Sequence, residues 1–272
     1  MSGGGRGRAR RLTERLSSRD RAILATLRDL RTASGNQLGR LHVDGDHPIM
    51  HARKTRAALQ RLTELRLIIR LERRVGGVRS GSQGFCYVLS GLGQAVLDLE
   101  EPAPRRHRRV VETKPAFHNH ALAVTETFVQ VVERCRSRRA QLLEWSGEPR
   151  CWRRFAGSHG QVLTLKPDSY ARLAMDDYEL STFLELDLDT ESLPTITRKL
   201  DLYVAYWRSG IEQHRHGVFP AVWWLVPSLA RLDAISSAVR RLPEDVRDLF
   251  TGSLIDEAAD VLTQPNLEGG AR

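Results

Sequence analysis

Five residues in the second half of the chain have the types and spacing to handle a phosphodiester. Lys166 and Asp168 stand two apart on one segment of alternating pattern, and Glu185 and Asp187 stand two apart on the next. Residues two apart on a strand share a face. Asp176-Asp177, between the segments, suits a hairpin turn, and such a hairpin brings Asp168 and Glu185 toward one gap. Two carboxylates at one gap are hard oxygen ligands for Mg²⁺ or Mn²⁺, and a metal so held can activate water. Lys199 lies between Ile196 and Tyr203, at the edge of the apolar stripe of the following helix, so it can point toward the same sheet and face a phosphate. The alternative is equally physical: acids on exposed strand faces are common and need no metal.

A second set of residues is suited to a polyanion. Ile49 to Leu65 reads as a helix with Pro48 at its first position. Thr55, Ala58, Leu59, Leu62 and Leu65 form its inward face, and Arg53, Arg56 and Gln60 share another. Lys54 and Arg61 add to the cations. Leu67 to Leu71 then reads as a strand, Val75 to Gly84 as a glycine-rich loop, and Phe85 to Leu89 as a returning strand, with Arg73, Arg74 and Arg79 in or beside the loop. A basic helix followed by a glycine-tipped hairpin is the layout of a winged helix-turn-helix. An α-helix fits the major groove of double-stranded DNA, where arginine and glutamine reach base edges and lysine reaches phosphate.

The charge distribution agrees. The chain of 272 residues has a formal net charge of +9. Residues 1–112 hold 23 Lys and Arg against 11 Asp and Glu, whereas residues 113–272 hold 19 against 22. A polyanionic partner is therefore expected for the first half only. Cys86, Cys135 and Cys151 have the spacing of neither a zinc site nor a disulfide framework, which suits reduced, mostly buried thiols in a cytosolic protein. No apolar run has the length of a membrane span. His118-Asn119-His120 and His214-Arg215-His216 are better read as capping or solvated residues than as metal ligands.

The elements that must position these residues follow in order. Residues 1–15, rich in glycine and arginine, are expected to form a disordered basic arm. Residues 16–100 form the winged-helix module. Its first helix starts at a capping box of Ser17 and Asp20, with Ile23, Leu24, Leu27 and Leu30 inward, and its second at a box of Ser34 and Gln37. One more helix is expected over 92–99. Residues 101–115, with Pro102, Pro104 and a run of arginines, form a linker. Residues 116–245 form an α/β domain with a mixed sheet: a long amphipathic helix from Phe117, a strand near Ala140, continuous strands over 161–173 and 178–189, a helix from Pro194 to Arg208, a strand over 219–226 and a helix capped by Ser228. Residues 246–272 are expected to be a helix and a disordered tail. The overall class is α+β.

On this framework, Pro167-Asp168 followed by Glu185-Leu186-Asp187 resembles the PD-(D/E)xK nuclease superfamily, that is, a restriction-endonuclease-like domain. Asp187 stands where that pattern has lysine. The resemblance therefore implies a migrated lysine, Lys199 in preference to Lys166. Glu126 on the long helix faces away from the apolar stripe and is set aside. The whole order is more specific. Phe117-His118-Asn119-His120, Lys166-Pro167-Asp168, Phe183 to Asp187, and Thr190 to Pro194 before Arg198-Lys199-Leu200 together resemble the replication-relaxation family of actinobacterial plasmids and mobile elements, over roughly residues 15–245. That resemblance implies a cytoplasmic, nucleoid- or plasmid-associated protein that binds double-stranded DNA and serves replication, relaxation or transfer, as a homodimer or with replication and transfer proteins. It implies either a retired nuclease fold or, alternatively, an active Mg²⁺- or Mn²⁺-dependent endonuclease or nickase. In the active case Asp168 and Glu185 hold the metal, and Asp187, Lys199 and Lys166 complete the set.

Overall fold

The structure, a computed structural model, describes residues 3–45, 47–71, 84–100, 115–158 and 160–264. The chain divides into two compact units, Met1–Val129 and Gln130–Arg272.

The first unit opens with helix α1 (Gly3–Thr13). The expected disordered arm is thus a helix, because Ala9, Leu12 and Leu16 recur at helical spacing and are buried in the core. Arg21 secures its far end, donating to the carbonyl of Thr13 at 2.6 Å and to that of Leu16, just beyond the helix, at 2.7 Å. Helix α2 (Ser18–Leu30) begins at the expected capping box of Ser17 and Asp20 and buries Ile23, Leu24, Leu27 and Leu30. A two-residue strand β1 (Ala33–Ser34) leads into α3 (Gly35–His42), where Ser34 and Gln37 form the second box. Helix α4 (Pro48–Glu64) buries Thr55, Ala58, Leu59 and Leu62. Strands β2 (Ile68–Leu71) and β3 (Cys86–Leu89) pair antiparallel, with Ile68 opposite Leu89. Strand β1, too short to show a period, adds to β3, so the sheet order is β1-β3-β2. Helix α5 (Gly91–Leu97) packs so close that a Cβ on Gly93 would lie 2.2 Å from the Leu67 carbonyl oxygen.

Asp20 is the polar pivot of this unit. It is fully buried, caps α2 and pairs with Arg61 on α4. Burial alone would raise its carboxyl pKa, but the hydrogen bonds from Ser17 and Arg61 and the Arg61 charge hold it below the ordinary value. A carboxylate of depressed pKa contributes stability above the unfolded value near 3.8, and that stability is lost as pH falls through the folded value. Asp20→Ala should cost the first unit about 2–4 kcal/mol at pH 7, from a lost cap and an ion pair broken beside a buried site. Urea titrations at pH 7 and pH 3 check this: the gap between wild type and variant should shrink at pH 3, and an equal gap at both would assign the effect to packing.

Helix α6 (Pro115–Ser137) crosses the division between the units. The first unit therefore runs beyond the expected linker, of which residues 101–114 lie outside the described residues. Its extension has a polar cause. Thr125 donates to the Thr32 carbonyl at 2.7 Å, Gln37 donates to Glu126 at 2.9 Å, and Arg40 pairs with Glu126 at 2.6 Å. These bonds also give Glu126 a role apart from the acid pair.

The second unit is built on a five-stranded mixed sheet of order β10-β9-β8-β7-β4. Its strands are β4 (Ala140–Gly147), β7 (Ser169–Met175), β8 (Tyr178–Leu186), β9 (Ala221–Val226) and β10 (Phe250–Leu254). Strand β7 pairs antiparallel with both β4 and β8, and β8, β9 and β10 are parallel. Strands β5 (Arg153–Ala156) and β6 (Val162–Leu165) form a separate hairpin. The strand expected to run unbroken over 161–173 is therefore two strands in two sheets. The break falls at Lys166-Pro167-Asp168, where proline lacks a donor for the ladder. The Asp176-Asp177 turn pairs Met175 with Tyr178, and Asp176 takes a φ of 49° there.

Helix α7 (Leu193–Arg208) starts at its Ser192 cap, crosses from β8 to the parallel β9, and buries Ile196, Leu200 and Tyr203. The short α8 (Ile211–His216) follows it, and α9 (Leu229–Val239) starts at Ser228. The helix expected within residues 246–272 is corrected. A 3₁₀ turn over Glu244–Leu249 leads into β10, and a short α10 (Ala258–Leu262) follows. Phe250 and Ser253 turn inward in extended chain, and Ser253 accepts from the Trp223 indole at 3.1 Å. Gly252 leaves room for α9, since a Cβ there would lie 2.7 Å from Leu232. Phe183, Tyr203, Tyr206 and Trp224 centre the core.

Candidate functional sites

Asp168 immediately precedes β7, and Glu185 is the penultimate residue of β8. The register pairs Ser169 with Leu184 and sets Asp168 across from Glu185. Two hydrogen bonds extend the ladder past the break: the Asp168 amide donates to the Leu184 carbonyl at 3.1 Å, and the Asp168 carboxylate accepts the Leu186 amide at 2.8 Å. The acids thus stand at the carboxyl end of the parallel strand β8, the edge at which open α/β sheets place ligands.

Glu185 is 1% exposed. Lys199 donates to its Oε2 at 2.9 Å, and the Tyr203 hydroxyl donates to its Oε1 at 2.7 Å. Lys199 and Tyr203 are one turn apart on α7, so a single helix face delivers both. Lys199 also pairs with Glu191 at 3.0 Å. Burial pushes the Glu185 carboxyl up to about 7; the Lys199 charge opposes that rise, and the Asp168 charge adds to it. Burial alone would lower the Lys199 pKa, but Glu185, Asp168 and Glu191 drive it strongly upward, so the ammonium stays charged. Burial and Glu185 together push Tyr203 well above its ordinary value, so its hydroxyl remains a donor.

The other expected members lie elsewhere. Asp187 is 2% exposed and pairs with Arg231 at 2.6 Å. Arg231 also reaches Asp189 at 3.3 Å and donates to the Glu191 carbonyl at 2.5 Å. Asp187 thereby ties the loop after β8 to the first turn of α9. Lys166 is exposed, its ammonium 4.8 Å over the Trp152 ring. Sequence reasoning missed Tyr203, Glu191 and Arg231 as polar members, and it missed the brace of Glu212 with Arg153 and Tyr206, both at 2.6 Å. A tyrosine or arginine on an amphipathic helix gives no sequence signal of the acid it meets. Of the cysteines only Cys151 is fully buried, with its thiol 3.0 Å from the Pro167 carbonyl. Among the described residues, no group of three or more His, Cys, Asp or Glu is arranged to hold a metal.

On α4 the basic residues separate into two sets. Arg53, Lys54, Arg56 and Gln60 are exposed. Their contacts are local: Arg56 donates to the Ala52 carbonyl at 3.2 Å, Lys54 to the Asp44 carbonyl at 3.4 Å, and Gln60 to Glu64 at 2.9 Å. Arg61 is instead held by buried Asp20. Arg73, Arg74 and Arg79 lie outside the described residues.

Fold and sites together define a two-unit α+β protein, with an exposed basic helix in one unit and a buried acid–lysine–tyrosine cluster at a sheet edge in the other. The family model described as replication-relaxation matches residues 24–222, and the chain belongs to that family. No curated protein and no solved structure matches it. No described helix is long and apolar enough to cross a membrane.

Proposed function

We propose that this protein binds double-stranded DNA through α4 and serves the replication or relaxation of a plasmid or mobile element. The observation that carries the reading is the outward face of α4, where Arg53, Lys54, Arg56 and Gln60 are exposed on a helix anchored by its opposite face. The order α2, β1, α3, α4, β2, β3, with sheet order β1-β3-β2, supports a winged-helix reading of the unit. Family membership supports the replication or relaxation role.

A second reading, a metal-dependent endonuclease or nickase on a PD-(D/E)xK-like framework, is favoured by one specific contact. Lys199 reaches Glu185 from α7, as the reading of a lysine displaced from the strand requires. Two carboxylates are the kind of donors that hold Mg²⁺ or Mn²⁺, with water and phosphate completing the shell, and an ion there would share the Glu185 oxygens that Lys199 and Tyr203 occupy. Asp168 and Glu185 would hold the ion, which when bound would supply Lewis acidity toward a phosphoryl oxygen. The chain's own residues do the positioning. Tyr203 fixes the Glu185 carboxylate, the Leu186 amide fixes Asp168, and Lys199 places a permanent cation beside them.

Purified protein incubated with supercoiled plasmid carrying its own neighbouring DNA, with Mg²⁺, Mn²⁺ or chelator, separates the readings. Metal-dependent nicking that Asp168→Asn lowers by about a thousandfold or more, with DNA retention kept, establishes the nuclease. Retardation without nicking in every metal leaves the DNA-binding reading alone, and absence of retardation removes both.

A further inference from the structure

The outward face of α4 is not uniformly basic. Ile49 is 70% exposed and Met50 is 46% exposed, both in the first turn of the helix. The helical period places them on either side of Arg53, which lies one turn further on and on the same outward face. Ala57 and Gln60 continue that face, and both are exposed. The buried residues Thr55, Ala58, Leu59 and Leu62 lie opposite, so the apolar pair is turned away from its own core. The first turn carries no acid, and the next turn carries Arg53, Lys54 and Arg56.

Apolar side chains left in water forgo the favourable transfer that burial brings. A surface for phosphate alone has no use for them, since phosphate oxygens take donors and cations. A face that sets two large apolar groups beside arginines matches a surface presenting apolar groups amid acceptors and negative charge. The major groove of duplex DNA is such a surface. Its apolar groups are the C5-methyls of thymine, and its strongest acceptor pair is guanine O6 and N7.

We propose that Ile49 and Met50 read thymine methyl groups in the major groove, and that Arg53 reads a guanine next to them. The inference rests on the DNA-binding reading of α4 and adds the class of sequence that the helix selects: one or two thymines adjoining a guanine.

The test uses the full chain. It is equilibrated with a pool of random 30-base-pair duplexes, and the retained duplexes are sequenced and footprinted. Each thymine under the footprint is then replaced singly by uracil, which removes one methyl and leaves pairing intact. We expect one or two positions at which uracil lowers affinity by about fourfold, the worth of one buried methyl. The variant Ile49→Ala/Met50→Ala should bind thymine and uracil duplexes equally, with unchanged thermal melting because both side chains are exposed. A footprint whose affinity is indifferent to uracil everywhere overturns the proposal and leaves DNA binding standing. A uracil effect that persists in the double variant overturns the assignment to these two residues. Retention of no duplex overturns this inference together with the reading beneath it.

Discussion

Lys199→Met should destabilise the second unit by about 3–5 kcal/mol at pH 8, and by no more than about 1–2 kcal/mol at pH 5. The asymmetry comes from Glu185. Its folded pKa, about 7, lies above the ordinary 4.5, because a buried carboxylate is poorly solvated. A raised pKa contributes stability that is complete below the unfolded value and is lost as pH rises through the folded value. In the wild type that loss falls between about pH 4.5 and pH 7, and it is moderated by the Lys199 charge. Without the lysine the folded pKa rises further, so the loss continues above pH 7. At pH 5 the carboxyl is protonated in both proteins, and the missing ammonium costs little more than its hydrogen bonds. Adding Glu185→Gln should recover most of the loss at pH 8, because an amide brings no unpaired charge. All five tryptophans lie beyond Gln130, so indole fluorescence during denaturant titration reports this unit alone. An equal loss at both pH values, or no recovery in the double variant, would show that Lys199 acts by packing and that Glu185 is not charged in the native protein.

This cluster also shows how far one sequence carries and where it stops. Local signals survived intact. Both capping boxes, the inward faces of α2 and α4 and the Asp176-Asp177 turn depend on residues a few positions apart. Lys199 was legible because helical spacing alone places it beside Ile196 and Tyr203. The pairing of Asp168 with Glu185 was legible once a hairpin was inferred. Features that depend on distant partners were not. Tyr203 reads as one more inward aromatic until β8 places a carboxylate 2.7 Å away. Asp187 reads as a member of the acid site until α9 brings Arg231 to it. Pro167 is the break that sends β6 and β7 to different sheets, and the alternating pattern that runs through it on both sides conceals the break. The glycine and arginine content of the first residues outweighed Ala9, Leu12 and Leu16, whose spacing already described a buried stripe.

The same separation of local from distant partners sets the expected result for DNA. Arg53→Ala/Lys54→Ala/Arg56→Ala should lower duplex affinity by at least about a hundredfold at moderate salt, and reduce the slope of log affinity against log salt by about 2–3, because each released cation forgoes close to one counterion. All three side chains are exposed, and the hydrogen bonds of Lys54 and Arg56 go to the turn before α4 and to α4 itself, so melting of the first unit should barely change. Arg61 carries the same charge on the same helix and should behave in the opposite way. Its guanidinium is committed to Asp20, a fully buried carboxylate that also caps α2. Arg61→Ala leaves that carboxylate without its cation, so the melting temperature should fall while the protein that remains folded keeps its affinity and salt slope. Fluorescence anisotropy of a labelled duplex over a salt series, read beside circular-dichroism melts, checks both halves. If Arg61→Ala lowered the salt slope and the triple variant did not, the outward face of α4 would not be the surface that meets DNA. Charge counting treats all four cations alike; only the burial of Asp20 tells them apart, and it divides them into one that builds the helix's seat and three that are left to act from it.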